Sequence, residues 1–195
     1  MAAVLGDVRT IAVIGAGPVG RGIAQLAARG GYRTILEDLL PNALRRAESE
    51  IRIQLDRAVD SGGVTGDAAN AAFSRLEFAG SVEDAARQAD LVIEAVPEEL
   101  ESKIEIFTLL DKICRPGAIL ASHLSSLSIT EISRVTYRAR NCLGMHFAEP
   151  VYGGKRLEII RGQATDEATL ATAVEVGRRM GKETVVIQDA ASGLT

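Results

Sequence analysis

Short apolar runs alternate along this chain with longer segments in which apolar residues recur at helical spacing. The short runs predict strands at residues 11–14, 34–36, 91–96, 118–121, 143–146, 156–160 and 184–187. The longer segments predict helices at residues 18–29, 67–73, 99–113 and 166–180, and one that begins at Pro41. Elements that alternate in this order form an α/β fold, a doubly wound, mostly parallel sheet with helices on both faces.

The helix after Pro41 is predicted to be amphipathic. Its buried stripe consists of Leu44, Ala47, Ile51, Leu55 and Ala58. The arginines at positions 45, 46, 52 and 57 lie off that stripe. We interpret them as a solvated face rather than a phosphate-binding patch, although such a face could approach the tail of a long anionic substrate.

The first predicted strand leads directly into a glycine-rich turn, Gly15-Ala16-Gly17-Pro18-Val19-Gly20. Gly15 would permit the tight turn, Gly17 would let the backbone approach a pyrophosphate, and Gly20 would let the next helix pack against the strand. That helix directs its free amides and partial positive charge at the phosphates. The whole turn is therefore predicted to bind a dinucleotide cofactor.

An acidic residue, Asp38, follows the second predicted strand at the spacing of a Rossmann dinucleotide-binding fingerprint. Its carboxylate would accept a hydrogen bond from the adenosine ribose 2′-hydroxyl and would repel a 2′-phosphate. The next residues are Leu39, Leu40 and Pro41, so no arginine is placed to bind such a phosphate. NAD is therefore favoured over NADP; the alternative is a glycine-rich turn without a ligand.

Composition narrows the classes of partner. The chain has 195 residues, 47% of them hydrophobic and 25% charged, which suits one well-buried domain. Its net charge of −4 argues against nucleic acid or an anionic membrane as the main partner.

The start lacks a signal-peptide pattern and no apolar run reaches membrane-spanning length, so a cytoplasmic location is predicted. Cys114 and Cys142 are expected to be buried free thiols, with no zinc or other metal site.

Hydride transfer from an alcohol needs a base that removes the hydroxyl proton as hydride leaves the carbon, and His146 is the candidate for that role. His146 ends an apolar run, so it is expected at a strand's carboxyl end, where a structural role and a catalytic role are both open. Glu158 lies within the apolar run 156–160, where a carboxylate raises the free energy of folding unless it is paired. A pair with His146 would orient the imidazole and increase its basicity; the alternative is an exposed edge-strand glutamate.

A second polar cluster, at residues 122–126, follows the strand at 118–121. It contains His123 and Ser125, a combination that could indicate a serine hydrolase. The G-x-S-x-G turn that exposes a serine nucleophile on such a sheet is absent. We therefore interpret Ser125 as a hydroxyl that hydrogen-bonds cofactor or substrate.

These segments together resemble the NAD-binding domain of the L-3-hydroxyacyl-CoA dehydrogenases of fatty-acid oxidation, over nearly the whole chain. The residues that carry the resemblance lie at 15–25, 90–98, 125–130, 144–147 and 157–160. The resemblance implies oxidation of the 3-hydroxyl of an acyl-CoA to a ketone, with hydride transfer to NAD.

The resemblance also implies a role for each matching residue. His146 would be the general base, Glu158 its carboxylate partner, and Ser125 a ligand of the substrate oxygen and the nicotinamide region. Glu98 and Lys103 match family positions near the cofactor. Asp38 matches the acid that binds the ribose.

The chain departs from the family at several of these positions. His123-Leu124 replaces the usual Asn-Thr, and Glu149 replaces an asparagine expected near the nicotinamide. Glu149 is still predicted to lie at the cofactor, but a carboxylate cannot donate a hydrogen bond, so cofactor orientation or substrate range is expected to differ. The family's serine and lysine that contact CoA fall at Gln54 and Ser61, which makes NAD the more secure ligand.

Residues 1–188 are predicted to form the NAD-binding domain and residues 189–195 the start of a connection. In the family this connection leads to a helical domain that supplies a catalytic asparagine, closes the substrate cleft and forms a homodimer. We expect an excised first domain rather than a natural stand-alone one. Alone it should bind NAD and turn over poorly, because half of the cleft is missing.

Two other functions stay open at this point. A dehydrogenase of this fold could act on another 3-hydroxy acid or on a sugar acid, as related gulonate-type dehydrogenases do. A module of this kind could also bind NAD as a sensor without catalysis.

Overall fold

A computed structural model of the chain describes residues 8–190. The predictions for the first seven residues and for 191–195 of the connection lie outside the described residues. The strands are β1 Thr10–Ile14, β2 Arg33–Glu37, β3 Leu76–Ala79, β4 Leu91–Glu94, β5 Ile119–Ser122, β6 Cys142–Phe147, β7 Arg156–Arg161 and β8 Glu183–Gln188. The α-helices are α1 Pro18–Arg29, α2 Pro41–Asp60, α3 Gly66–Phe73, α4 Val82–Ala86, α5 Leu100–Ile113, α6 Ile129–Ser133 and α7 Glu167–Arg179.

All eight strands form one sheet in the order β3-β2-β1-β4-β5-β6-β7-β8. Neighbouring strands are parallel throughout, except that β6 and β7 are antiparallel. The predicted doubly wound, mostly parallel sheet is confirmed. Its chain order reverses between β1 and β4, and a sheet of this kind binds its ligands at such a switch point, beyond the carboxyl ends of the strands.

The predicted elements agree with the observed ones to within one residue, with one correction in β4, and β3 was not among the predicted strands. The strand ends at Glu94 rather than at Val96. The amide of Val96 donates to the Glu94 carboxylate at 2.7 Å instead of extending the ladder. The polar side chain therefore ends the strand before the apolar run itself ends.

Apolar side chains pack on both faces of the sheet. Because successive strand residues point to opposite faces, Leu36 of β2 joins the cluster that contains α1, whereas Ile35 joins the cluster that contains Phe107 of α5.

The predicted stripe of α2 is buried at Ala47, Ile51 and Leu55 and half-buried at its two ends. The four arginines of α2 are exposed, which agrees with the solvated face. Both cysteines are buried free thiols, as predicted.

No helix among residues 8–190 combines the length and the apolar character needed to cross a membrane.

Candidate functional site

The glycine turn after β1 has the geometry that its sequence predicts. Gly15 adopts φ = +101°, a conformation that L side chains rarely accept. A Cβ on Gly20 would lie 1.8 Å from the carbonyl oxygen of Gly15, so only glycine lets α1 approach this closely. A Cβ on Gly17 would meet no protein atom within 4 Å. The turn is therefore closed on the side of the helix and open at Gly17.

The N-terminus of α1 suits an anionic ligand. Gly17 is its N-cap and supplies no side-chain cap, and the first turn contains no acidic residue. Beside it, Asp38 accepts the amide of Ala16 through Oδ2 at 3.0 Å and the amide of Leu40 through Oδ1 at 2.9 Å. Uncapped amides for a diphosphate and a carboxylate for a ribose hydroxyl thus lie together, and this donor set fits NAD.

Alanine at Gly17 should weaken NADH binding without weakening the fold. The backbone there, with φ = −65°, suits any residue, and the added methyl group would fill only the space predicted for the pyrophosphate. We expect a loss of affinity of at least about tenfold, or ~1.4 kcal/mol. NADH fluorescence titration and thermal unfolding measure the two properties. Gly20→Ala is the matched control and should lower both; wild-type affinity in Gly17→Ala would contradict the open approach.

His146 and Glu158 form a pair across β6 and β7. The antiparallel register places the two residues directly opposite each other. Nδ1 of His146 lies 3.0 Å from Oε2 of Glu158, and Arg156 holds the other carboxylate oxygen at 2.8 Å. The hydrogen bond with His146, helped by Arg156, lowers the pKa of Glu158 despite partial burial. The structure thus brings together the two residues that the sequence suggested as partners.

The loop of Ser125, Ser126 and Leu127 after β5 is held by the carboxylate of Glu98. Backbone amides of these three residues donate to Oε1 at 2.9, 2.6 and 3.1 Å. The hydroxyl of Ser125 donates to Oε2, and that of Ser126 to Oε1. Burial raises the pKa of Glu98, but these hydrogen bonds outweigh it and lower the value to about 2. Glu98 therefore stays ionised and positions the loop.

His123 does not activate Ser125. Its Nδ1 lies 3.1 Å from the carbonyl oxygen of Met145, and its ring centroid lies 5.8 Å from that of His146. Burial, followed by the neighbouring His146, lowers the pKa of His123. Because the Ser125 hydroxyl is engaged by a carboxylate and the imidazole by a carbonyl, the serine-hydrolase arrangement is absent from this loop.

Comparison with known proteins identifies the family. The family model described as 3-hydroxyacyl-CoA dehydrogenase, NAD binding domain, matches residues 10–190. The chain belongs to this family. The predicted NAD cofactor and Rossmann-type fold are thereby confirmed.

Relatives of this 3-hydroxyacyl-CoA dehydrogenase domain are longer than the chain. A "Probable 3-hydroxybutyryl-CoA dehydrogenase" of Bacillus subtilis (strain 168) is 40% identical over 183 residues, which are 94% of this chain and 63% of the relative. The crystal structure of (S)-3-hydroxybutyryl-CoA dehydrogenase from Ralstonia eutropha matches with a TM-score of 0.91 at 32% identity; the match covers 94% of this chain and 65% of the Ralstonia chain. The crystal structure of 3-hydroxybutyryl-CoA dehydrogenase from Escherichia coli K12 matches with a TM-score of 0.90 at 34% identity, over 94% of this chain and 39% of the Escherichia chain. The chain thus spans less than two thirds of these proteins.

Lys103, which the resemblance places near the cofactor, forms a buried ion pair beneath the site. Its side chain is fully buried, and Nζ donates to both carboxylate oxygens of Glu94 at 2.8 and 3.0 Å. Nζ also donates to the carbonyls of His123 and Val96. Burial raises the pKa of Glu94, and the ammonium opposes that rise. The pair therefore ties the end of β4 to the start of the segment that contains Ser125.

Glu94 and Ser122 form, with Lys103, a buried polar cluster that the sequence reasoning missed. The Ser122 hydroxyl donates to Glu94, and both side chains are buried. The available signal was the one used for Glu158, a carboxylate that closes an apolar run and needs a partner. Applied to Glu94, it would have predicted a buried pair with a nearby cation.

A cavity of about 220 Å³ lies between α1, α2 and the loop after β6 in the dehydrogenase domain. Glu149 is exposed at this cavity, together with Val19 of the glycine turn, so it lies beside the predicted cofactor site. Gln54 also lines the cavity. Ser61 instead donates its hydroxyl to the Ala58 carbonyl at the end of α2. Of the two positions matched to CoA contacts, the first faces the cavity and the second stabilises a helix end.

Proposed function

We propose that the chain supplies the NAD-binding domain and the catalytic base of an enzyme that oxidises the 3-hydroxyl of a 3-hydroxyacyl-CoA to a ketone. The observation that carries the proposal is the pair of His146 and Glu158, at 3.0 Å, at the end of β6. β1 and β6 point the same way in the sheet, so this pair and the glycine turn lie at one edge. When bound there, NAD accepts the hydride from the substrate carbon.

Glu158 determines which nitrogen of His146 can act. Its lowered pKa keeps it a carboxylate, which only accepts hydrogen bonds, so Nδ1 of His146 must donate. Nε2 then carries the lone pair and is free to take the hydroxyl proton of the substrate. The carboxylate also stabilises the imidazolium that this transfer forms. In this proposal His146 is the base and Glu158 orients it.

Ser125 has the capacity left to bind the substrate oxygen. Its single O–H donates to Glu98, so the remaining lone pairs of Oγ can accept a hydrogen bond. This contact would hold the substrate hydroxyl at Oγ, and its proton would leave Oγ for Nε2 of His146 as hydride is transferred. In this proposal Glu98 acts on the substrate only through Ser125, whose backbone amide and hydroxyl its carboxylate binds.

The substrate is proposed to be an acyl-CoA. The relatives named above are 3-hydroxybutyryl-CoA dehydrogenases, and the cavity beside Gln54 and Glu149 offers a place for part of the carrier. We also propose that a helical second domain completes the cleft and forms a homodimer, and that the enzyme works in the cytoplasm. Glu98, Glu149 and the residues of the glycine turn, with Asp38, are proposed as the cofactor side of the site.

A panel of keto compounds tests the proposed reaction. We expect the chain to oxidise NADH with acetoacetyl-CoA and not with acetoacetate or a keto sugar acid, at a low rate that rises when a second domain is supplied. NADH absorbance at high protein concentration measures this, and incubation without a keto compound is the control. Turnover of a free acid alone would favour the other substrate classes. NADH binding with no turnover, even in a two-domain form, would favour a sensor.

A further inference from the structure

Glu37, the last residue of β2, carries a buried carboxyl group with an unused acceptor. The residue is 2% exposed, and its Oε1 has no hydrogen-bond partner. Within residues 8–190, only the hydroxyl of Thr169 is another buried side-chain polar atom in this situation. A buried oxygen without a donor raises the free energy of the folded state. A ligand that supplied a donor would relieve that penalty on binding.

Glu37 lies where the two halves of the cofactor fingerprint meet. Its carbonyl oxygen accepts the N–H of Gly15 at 2.9 Å. The next residue, Asp38, accepts the amide of Ala16 from the same turn. An adenosine whose ribose is bound by Asp38 is therefore a direct neighbour of Glu37.

The surroundings of the Glu37 side chain suit a flat, mostly apolar ring. Alternation along β2 places it on the same face of the sheet as Ile35, opposite the face that Leu36 shares with α1. Val96 and Leu100, which follow β4 at the same sheet edge, pack against the apolar cluster on that face. Adenine has apolar ring faces and one amino group that donates hydrogen bonds. One free acceptor among apolar side chains matches that chemistry.

The charged groups on elements packed against β2 leave Glu37 without a cation. Glu77 of β3 is paired with Arg33. On α4, Glu83 is paired with Arg87, and Asp84 accepts the Ser81 hydroxyl. Arg21 and Arg29 belong to α1, the helix on the opposite face of the sheet. Burial and the neighbouring Asp38 carboxylate raise the pKa of Glu37 to about 7, against the effect of the Gly15 amide. The carboxyl is therefore partly protonated near neutral pH.

We propose that Glu37 accepts a hydrogen bond from the adenine amino group of NAD, so that it recognises the base while Asp38 recognises the ribose. The proposal rests on the NAD site of the proposed function and assigns a further residue to it.

A dinucleotide without the amino group tests this contact directly. Reduced nicotinamide hypoxanthine dinucleotide carries a carbonyl oxygen where adenine carries its amino group. We expect the wild-type chain to bind NADH about 10- to 100-fold more tightly than this analogue, the range for a hydrogen bond to a charged acceptor. Glu37→Val removes the acceptor and should bind both dinucleotides equally. Fluorescence titration of the reduced nicotinamide gives all four affinities.

Proton release gives a readout that does not depend on the analogue. A bound donor favours the ionised carboxylate, so NADH binding near pH 7 should release protons, and affinity should rise as pH increases from about 6 to about 8. Calorimetry in two buffers of different ionisation enthalpy counts those protons. Glu37→Gln keeps the size of the side chain but cannot titrate, so its NADH affinity should stay level over this range.

Thr169→Val is the matched control, because it removes the other unpartnered polar atom at a distant helix and should leave both the preference for NADH and its pH dependence unchanged. Without cofactor, Glu37→Val should unfold at a higher temperature than the wild type, and by a larger margin at pH 8, where the wild-type carboxyl is charged.

Equal binding of the two dinucleotides by the wild type, or proton uptake on binding, would overturn the assignment of Glu37 and leave the proposed function intact. So would an unchanged preference in Glu37→Val; if that variant does not fold, the wild-type and Glu37→Gln measurements decide. Failure of the wild type to bind NADH would overturn the NAD site itself.

Discussion

Replacement of His146 by glutamine should lower the rate of acetoacetyl-CoA reduction by about 10²- to 10⁴-fold, the range for loss of a general acid–base group. In this direction the imidazolium donates the proton that the imidazole takes in the oxidation. Glutamine can hydrogen-bond Glu158 but cannot exchange a proton near neutral pH. NADH affinity should not change, because His146 lies on β6 and the glycine turn follows β1. Single-turnover rates and NADH titration separate the two effects.

Glu158→Gln is the matched variant for the other half of this pair. An amide can donate as well as accept, so it does not fix Nδ1 of His146 as the donor. It also stabilises an imidazolium less than a carboxylate does. A rate between those of the wild type and His146→Gln is expected, with NADH affinity again unchanged. A wild-type rate in His146→Gln would show that another group carries the proton. A wild-type rate in Glu158→Gln would show that the pairing has no catalytic part.

Replacement of Lys103 by methionine should lower the free energy of unfolding by ~3–5 kcal/mol, the usual effect of removing one partner from a buried ion pair. Methionine matches the length of the lysine stem but leaves the Glu94 carboxylate buried without a cation. The loss should fall as pH decreases, because protonation of Glu94 removes the unpaired charge. Denaturant unfolding at two pH values measures both effects.

Lys112→Met is the control for Lys103→Met, because both lysines belong to α5 but Lys112 is exposed. Its effect should stay within about 0.5 kcal/mol. The double variant Glu94→Gln, Lys103→Met should recover part of the stability, since it removes the uncompensated charge as well. Equal losses for Lys103→Met and Lys112→Met would show that the buried pair does not hold the site.

Local signals in the sequence were sufficient for the cofactor half of the site. The glycine turn is a continuous segment, and its requirements are set by backbone conformation and by the contact of one helix with one strand. The positive φ of Gly15 and the close approach at Gly20 can therefore be inferred from the glycines at these positions. Asp38 could be placed because it follows the neighbouring strand at a regular distance.

Residues that meet through the sheet were harder to assign. His146 could be named from its place at a strand end and Glu158 from its burial cost. Their contact, however, depends on β6 and β7 being antiparallel, the exception in this sheet. The resemblance places Lys103 near the cofactor, and the structure adds that its ammonium binds Glu94. Glu98 was expected near the cofactor, and the structure adds the serine loop that it holds. None of these partners is fixed by a local pattern.

The sequence by itself determined the fold class, the dinucleotide turn and the candidate base, because each depends on hydrophobic periodicity or on backbone geometry within a short segment. The tertiary structure alone decided the partners of the charged groups around the site. It paired Glu94 with Lys103, bound Glu98 to the serine loop, and left Glu37 with a free oxygen beside the ribose acid. A buried charge must find its counterpart within a few ångströms, and only the packing of strands distant in sequence determines which groups come that close.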